Sequence, residues 1–178
     1  MFEMTDEYVG KMQFFNEPMY LEWGMSEKEF MSIQHEIHAM DPEEKYFIAV
    51  REIVHRKRTD PLLADCIALE RPRAAVPSIY AIWVQRKIET SPPVNEWTKE
   101  QIQHALDGML LLHSRGIVHN DISVKNFGFR RGLPVYIDMD SASRALPVHI
   151  RHLRSGRYGI DLNQTREFDV NQFTKCFA

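Results

Sequence analysis

From Phe30 onward the apolar positions return at Ile33, Ile37 and Met40, the three-to-four spacing of a helix with one face turned inward. Ser26 followed by Glu29 forms a capping-box signal at its start. Asp41-Pro42 ends it, because proline lacks an amide hydrogen and disfavours helix in the residue before it. The stretch Tyr46–Val54, and more strongly Ile79–Val84, is apolar and partly β-branched, which predicts strands. Thr98 and Gln101 make a second capping box, and Ile102, Ala105, Leu106, Met109 and Leu112 continue along one helical face until Gly116. Val124, Phe127 and Phe129, then Val135 to Ile137, flank the turn-forming Arg131-Gly132 and predict a hairpin whose second strand ends at Asp138. Tyr8–Met12 is a strand candidate ahead of the first helix, and a loop-rich tail closes on a short helix. The expected fold class is α+β.

With 178 residues the chain can build one domain with a real core, divided at most into two small lobes. Apolar residues at 44% and charged residues at 26% are ordinary for a globular protein and do not indicate disorder. A net charge of -3 gives no general attraction to nucleic acid or an anionic membrane. The local basic run His55-Arg56-Lys57-Arg58 is read as a solvated loop, with a phosphate-binding or nuclear-import role as the alternative. Cys66 and Cys176 match no metal or redox spacing and are read as reduced thiols. Glu3, Asp6 and Glu7 occupy the N-terminal region in place of a basic leader, and no eighteen consecutive residues are apolar. An intracellular location, cytoplasmic or nuclear, without a membrane segment is therefore expected. The pairs His35/His38 and His149/His152 have no carboxylate or cysteine to complete a metal site. Trp23, Trp83 and Trp97 are read as packing residues.

The chemistry concentrates between Leu111 and Ala142, where His119, Asp121, Asn126 and Asp138 fall. Phosphoryl transfer from ATP needs a carboxylate to orient an attacking hydroxyl and two oxygen ligands to hold Mg²⁺ against the phosphates. Asp121 can supply the first, and Asn126 and Asp138 the second. Five positions carry the chain from Asp121 to Asn126, a short loop that turns both side chains to one point, and seventeen carry it to Asp138, enough for a hairpin.

At these residues, HNDISVKN and IDMD, the chain resembles the protein kinase superfamily, whose catalytic loop reads H-R-D-L-x-x-x-N and whose metal-binding strand ends in D-F-G. The Asp-Ile-Ser variant and the Ile-Asp-x-Asp ending look more like atypical branches, among them the fungal-type kinases, the RIO kinases and the aminoglycoside phosphotransferases. The resemblance implies a two-lobed fold, with an abbreviated small lobe over residues 1–88 and a truncated, mainly helical lobe over 89–178. It implies ATP and Mg²⁺ as ligands, and a hydroxyl acceptor on protein serine or threonine more than on a small molecule. It further implies that Lys11 contacts the α- and β-phosphates with Glu36 as its partner, twenty-five positions on, and that Lys125 offsets charge on the γ-phosphate. Asp169 resembles the aspartate that braces the family's catalytic loop from beneath, and His119 has a structural role there.

The departures are equally specific. No G-x-G-x-x-G stands among the ten residues ahead of Lys11, so backbone amides to cradle the phosphates are expected to be missing or supplied differently; Asn120 replaces the arginine beside the catalytic aspartate; and Ser123 replaces a lysine. Asp140 stands where the D-F-G glycine would be, and is read as a loop carboxylate ahead of a second metal ligand. No A-P-E motif follows. These losses keep a rival open, a catalytically inactive pseudokinase acting as a binding or regulatory module. An incomplete gene product is a further rival. A glycosyltransferase using Asp138-Met139-Asp140 as a metal-binding D-x-D is disfavoured, because the N-terminal half lacks alternating strands and helices.

Overall fold

The computed structural model describes residues 2–3, 5–13, 27–57, 79–145 and 165–178. Ser26, Trp23, Arg58, Cys66, His149 and His152 lie outside them. The described residues of Met1–Glu29 and Val50–Lys87 form one compact unit, and those of Phe30–Ala49 and Ile88–Ala178 a second.

The first unit is an antiparallel sheet of β1 (Phe2–Glu3), β2 (Tyr8–Gln13), β3 (Glu52–Lys57) and β4 (Ile79–Arg86). The order is β1-β2-β4-β3, so the expected strand at Ile79–Val84 is an interior one. Trp83 is paired with Lys11 on one side and Ile53 on the other, and is 1% exposed. That register sets the Lys11 ammonium 5.9 Å from the Trp83 ring centroid, a cation–π contact. Thr5 Oγ1 accepts the amides of Glu7 and Tyr8 and makes the turn into β2.

Helix α1 runs Glu27–Met40, as its periodicity predicts; from Phe30 onward it belongs to the second unit, with Phe30, Ile33 and Ile37 buried. The expected strand at Tyr46–Val54 is corrected: β3 starts at Glu52, and Tyr46–Val50 makes a single parallel bridge, Phe47 to Tyr136. The reason is Asp41, whose buried carboxylate accepts the amides of Lys45, Tyr46 and Phe47 and curls the backbone around itself. Helix α2 spans Lys99–Ser114 behind the reciprocal Thr98–Gln101 capping box, and Gly116, at φ +68°, ends its last turn in the left-handed region. Its buried stripe is His104, Ala105, Gly108, Met109, Leu112 and His113, rotated from the predicted apolar face; Ile102 and Leu106 are only half-buried.

The hairpin is present as β6 (Phe127–Arg130) and β7 (Leu133–Tyr136), joined by Arg131 at φ +55° and Gly132 at φ +77°. Two successive positive φ values match the right-handed twist of a two-residue turn. Strand β7 stops at Tyr136, two residues short of Asp138. Trp97 packs edge-on against Phe127 and Phe129, with centroids 5.3 and 5.1 Å away, and Phe177 of α3 (Arg166–Phe177) closes the same cluster. A Cβ at Gly128 would stand 1.9 Å from Ile88 Cδ1, so a larger residue there would need the Ile88 side chain to move. Finally β5 (Ile117–Val118) pairs antiparallel with β8 (Ser143–Arg144), which draws the segment after α2 against the segment after β7. The chain is thus a mixed α and β fold with small antiparallel sheets. No helix among the described residues is long and apolar enough to cross a membrane.

Candidate functional site

The loop that follows β5 is held from the side of α3. Asp169, in the first turn of that helix and wholly buried, accepts the amide of His119 at 2.8 Å on Oδ2 and that of Asn120 at 2.9 Å on Oδ1. His113 Nε2 lies 2.9 Å from the same Oδ2; a carboxylate only accepts, so that nitrogen carries the hydrogen. Three donors on one carboxylate repay its removal from water. One turn along α3, Gln172 Oε1 accepts the Ile122 amide at 2.9 Å. The backbone on both sides of Asp121 is therefore pinned, and the bracing role expected of Asp169 is present in these bonds.

Within the loop Asn126 Nδ2 donates to both the main-chain oxygen and Oδ2 of Asp121, each at 2.8 Å. Those bonds fix the amide, and Oδ1 is its opposite end. The Ile137 amide donates to the Asn126 carbonyl at 2.9 Å, which brings the end of the hairpin beside the loop. Asp138 follows, half-buried, in the left-handed conformation (φ +59°, ψ +47°) that opens the 3₁₀ turn Met139–Ser141. This is a sparsely used conformation that aspartate tolerates better than most residues. Asp121, Asn126 and Asp138 are thus gathered by the contacts of one unit. Asn120 adds another link, at φ +67°: its Nδ2 donates to the Ser141 carbonyl and to Ser143 Oγ, both at 2.8 Å.

Lys125 is exposed in the 3₁₀ turn Val124–Asn126 of the same loop. Glu36, on α1, accepts a hydrogen bond from the Arg144 guanidinium. That bond holds its carboxyl below the usual range against the opposing pull of burial. Lys11 belongs to the first unit, on β2. Asp140 is buried.

Burial pushes the His119 imidazole below its ordinary value, and the nearby Asp169, Asp121 and Asp138 carboxylates only partly oppose it. Its Nδ1 lies 3.3 Å from the Asp121 amide and accepts from it, as only a neutral ring can. Burial likewise drives the Tyr136 phenol well up, consistent with a hydroxyl that donates to the Ala105 carbonyl at 2.8 Å. Among the described residues no three histidine, cysteine or acidic side chains converge on a cation site. Mg²⁺, however, seeks few protein ligands and takes oxygens from phosphates and water. Asn126 Oδ1 and the Asp138 carboxylate are hard oxygen donors of the right kind and number.

Sequence reasoning missed the Arg144–Glu36 pair, the Asn120 link and Gln172. The last had a signal: Gln172 lies three positions after Asp169 on a helix and shares its face. The buried His113 also had one, standing four residues after Met109 on an apolar stripe. Nothing local marks Arg144.

No protein-family model matches the chain, and no curated protein matches it. Among solved structures the chain is similar to PK-1, the kinase of Cydia pomonella granulovirus, at a TM-score of 0.48 and 13% identity, over 80% of this chain and 46% of that one. It is similar to monomeric WbdD at a TM-score of 0.45 and 14% identity, over 96% of this chain and 43% of that one. The chain spans under half the length of each.

Proposed function

We propose that this protein is an ATP-dependent phosphotransferase of protein-kinase-like type, which moves the γ-phosphate to a hydroxyl, with protein serine or threonine as the first acceptor to test. The observation that carries the reading is the Asp121–Asn126 pair, bonded at 2.8 Å in a loop whose backbone is held by Asp169. Asp121 Oδ2 is engaged by Asn126, and Oδ1 is the oxygen to accept the acceptor's proton. The acceptor oxygen bonds to the γ-phosphorus while the bond from that phosphorus to the β–γ bridging oxygen breaks, and ADP leaves with the electron pair. Asn126 and Asp138 would hold Mg²⁺, which when bound neutralises phosphate charge. Lys125, exposed on the loop, would answer charge on the γ-phosphate, and Lys11 that on the α- and β-phosphates.

One observation favours the second reading, a pseudokinase that binds without transferring. Glu36, the residue meant to partner Lys11, has its carboxylate engaged by Arg144. Transfer of label from γ-labelled ATP to a panel of protein and small-molecule hydroxyls separates the two. Activity in the wild type that falls by orders of magnitude in Asp121→Asn supports the enzyme. Equal labelling by both removes Asp121 from the mechanism, and no labelling despite proven ATP binding selects the binding module.

A further inference from the structure

We infer that Asn120 is a positioning residue, and that its side-chain amide holds the Asp121 loop in register with the segment that carries Asp138. The inference rests on the phosphotransferase reading and names a part of that site which the family pattern fills with a charged side chain.

Three ties join the loop to the segment after β7. At one end Val118 pairs with Ser143, and at the other the Ile137 amide donates to the Asn126 carbonyl at 2.9 Å. Between these lies Asn120, one peptide bond from Asp121, with both amide hydrogens spent on Ser141 and Ser143, three and five residues after Asp138. Its backbone amide is committed to Asp169, so the residue is fixed from beneath by α3 while its side chain reaches across. Oδ1 is buried and finds no donor among the described residues, so the bonding of this side chain is donation alone.

A left-handed residue with a short donor is what the position demands. Asparagine tolerates φ near +67°, whereas a long side chain there bears the steric cost of the left-handed region. The amide is also neutral. Its grip on Ser141 and Ser143 is complete without any added charge, so the register between Asp121 and Asp138 needs no phosphorylation of a neighbouring loop to form. Reacting groups misplaced by about 1 Å lose roughly a hundredfold in rate, so this register bears on turnover more than on nucleotide binding.

The test uses Asn120→Gly, which keeps the left-handed backbone free of strain and deletes the amide, and Asn120→Asp, which keeps the shape and deletes the donors. In the full-length protein kcat is expected to fall by about tenfold or more in both, with KM for ATP within about twofold of wild type. Ser143→Ala should lower kcat less, and should add nothing on top of Asn120→Gly, because the bond it removes is already gone. Native-state hydrogen exchange supplies a readout independent of activity. The Ala142 and Ala145 amides should lose about tenfold in protection in Asn120→Gly while those of α2 keep theirs. An active wild type whose kcat is unchanged in Asn120→Gly, or unchanged protection of Ala142 and Ala145, overturns this inference alone. A wild type that transfers no phosphate overturns the phosphotransferase reading and this inference together.

Discussion

Removing the carboxylate of Asp169 is the severest test of how the loop is held. Asp169→Ala deletes the acceptor for the amides of His119 and Asn120 and for His113 Nε2, at 2.8, 2.9 and 2.9 Å, from a residue that is 0% exposed. Each buried donor left without a partner costs about 1–3 kcal/mol. Water entering the vacated space relieves part of the sum, so a net loss of roughly 3–5 kcal/mol is expected, the range for breaking a buried charged pair. For a chain of this size that corresponds to a fall in Tm of about 6–20 °C. Urea unfolding followed by circular dichroism, with the slope m compared between wild type and variant, measures it. Asp169→Asn keeps one acceptor and should lose about 1–3 kcal/mol. A loss below about 1 kcal/mol in Asp169→Ala, at unchanged m, would refute the claim that this carboxylate carries the loop.

The His119 ring titrates in the unfolded chain at its ordinary value and in the folded chain only at lower pH, because burial disfavours its charged form. Stability is therefore full above pH about 6.5 and falls below it, by at most about 1.4 kcal/mol per pH unit, and His119→Phe should flatten that slope; an unaltered slope contradicts the assignment. Tyr136→Phe removes the hydroxyl that donates to the Ala105 carbonyl and should cost about 1 kcal/mol in urea unfolding, whereas no loss would mean that the bond adds nothing net. Lys125→Met should lower kcat more than it weakens ATP binding, and Ser123→Ala should do little to either; the reverse order would place the γ-phosphate charge partner elsewhere.

How much of this was legible in the chain depends on whether the signal is local. The Thr98–Gln101 capping box, the Arg131-Gly132 turn and the Phe30-Ile33-Ile37 stripe are each set by residues within one turn of each other, and each is present as read. The gathering of Asp121 and Asn126 was legible for the same reason, since five positions of loop join them. Of Tyr46–Val54 only the end, from Glu52, is strand; the start was misread because its apolar content suits a strand, while a single polar residue, Asp41, captures three of the amides a strand would have used. The rotated stripe of α2 has a similar cause: His104 and His113 read as polar, yet each is buried with a partner for its ring nitrogen, Lys45 O and Asp169 Oδ2. The Arg144–Glu36 pair spans 108 positions, and pattern along a chain carries no information on such a meeting.

The central claim is that Asn126 and Asp138 make a metal-dependent nucleotide site, and thermal unfolding with and without Mg·ATP tests it most directly. A ligand that binds only the folded state at a hundredfold excess over Kd adds about 2.7 kcal/mol, a rise in Tm of roughly 5–10 °C here. The account predicts that rise in the wild type, its dependence on Mg²⁺, and its loss in Asp138→Ala. No rise in the wild type, or an equal and saturable rise in Asp138→Ala, would contradict it.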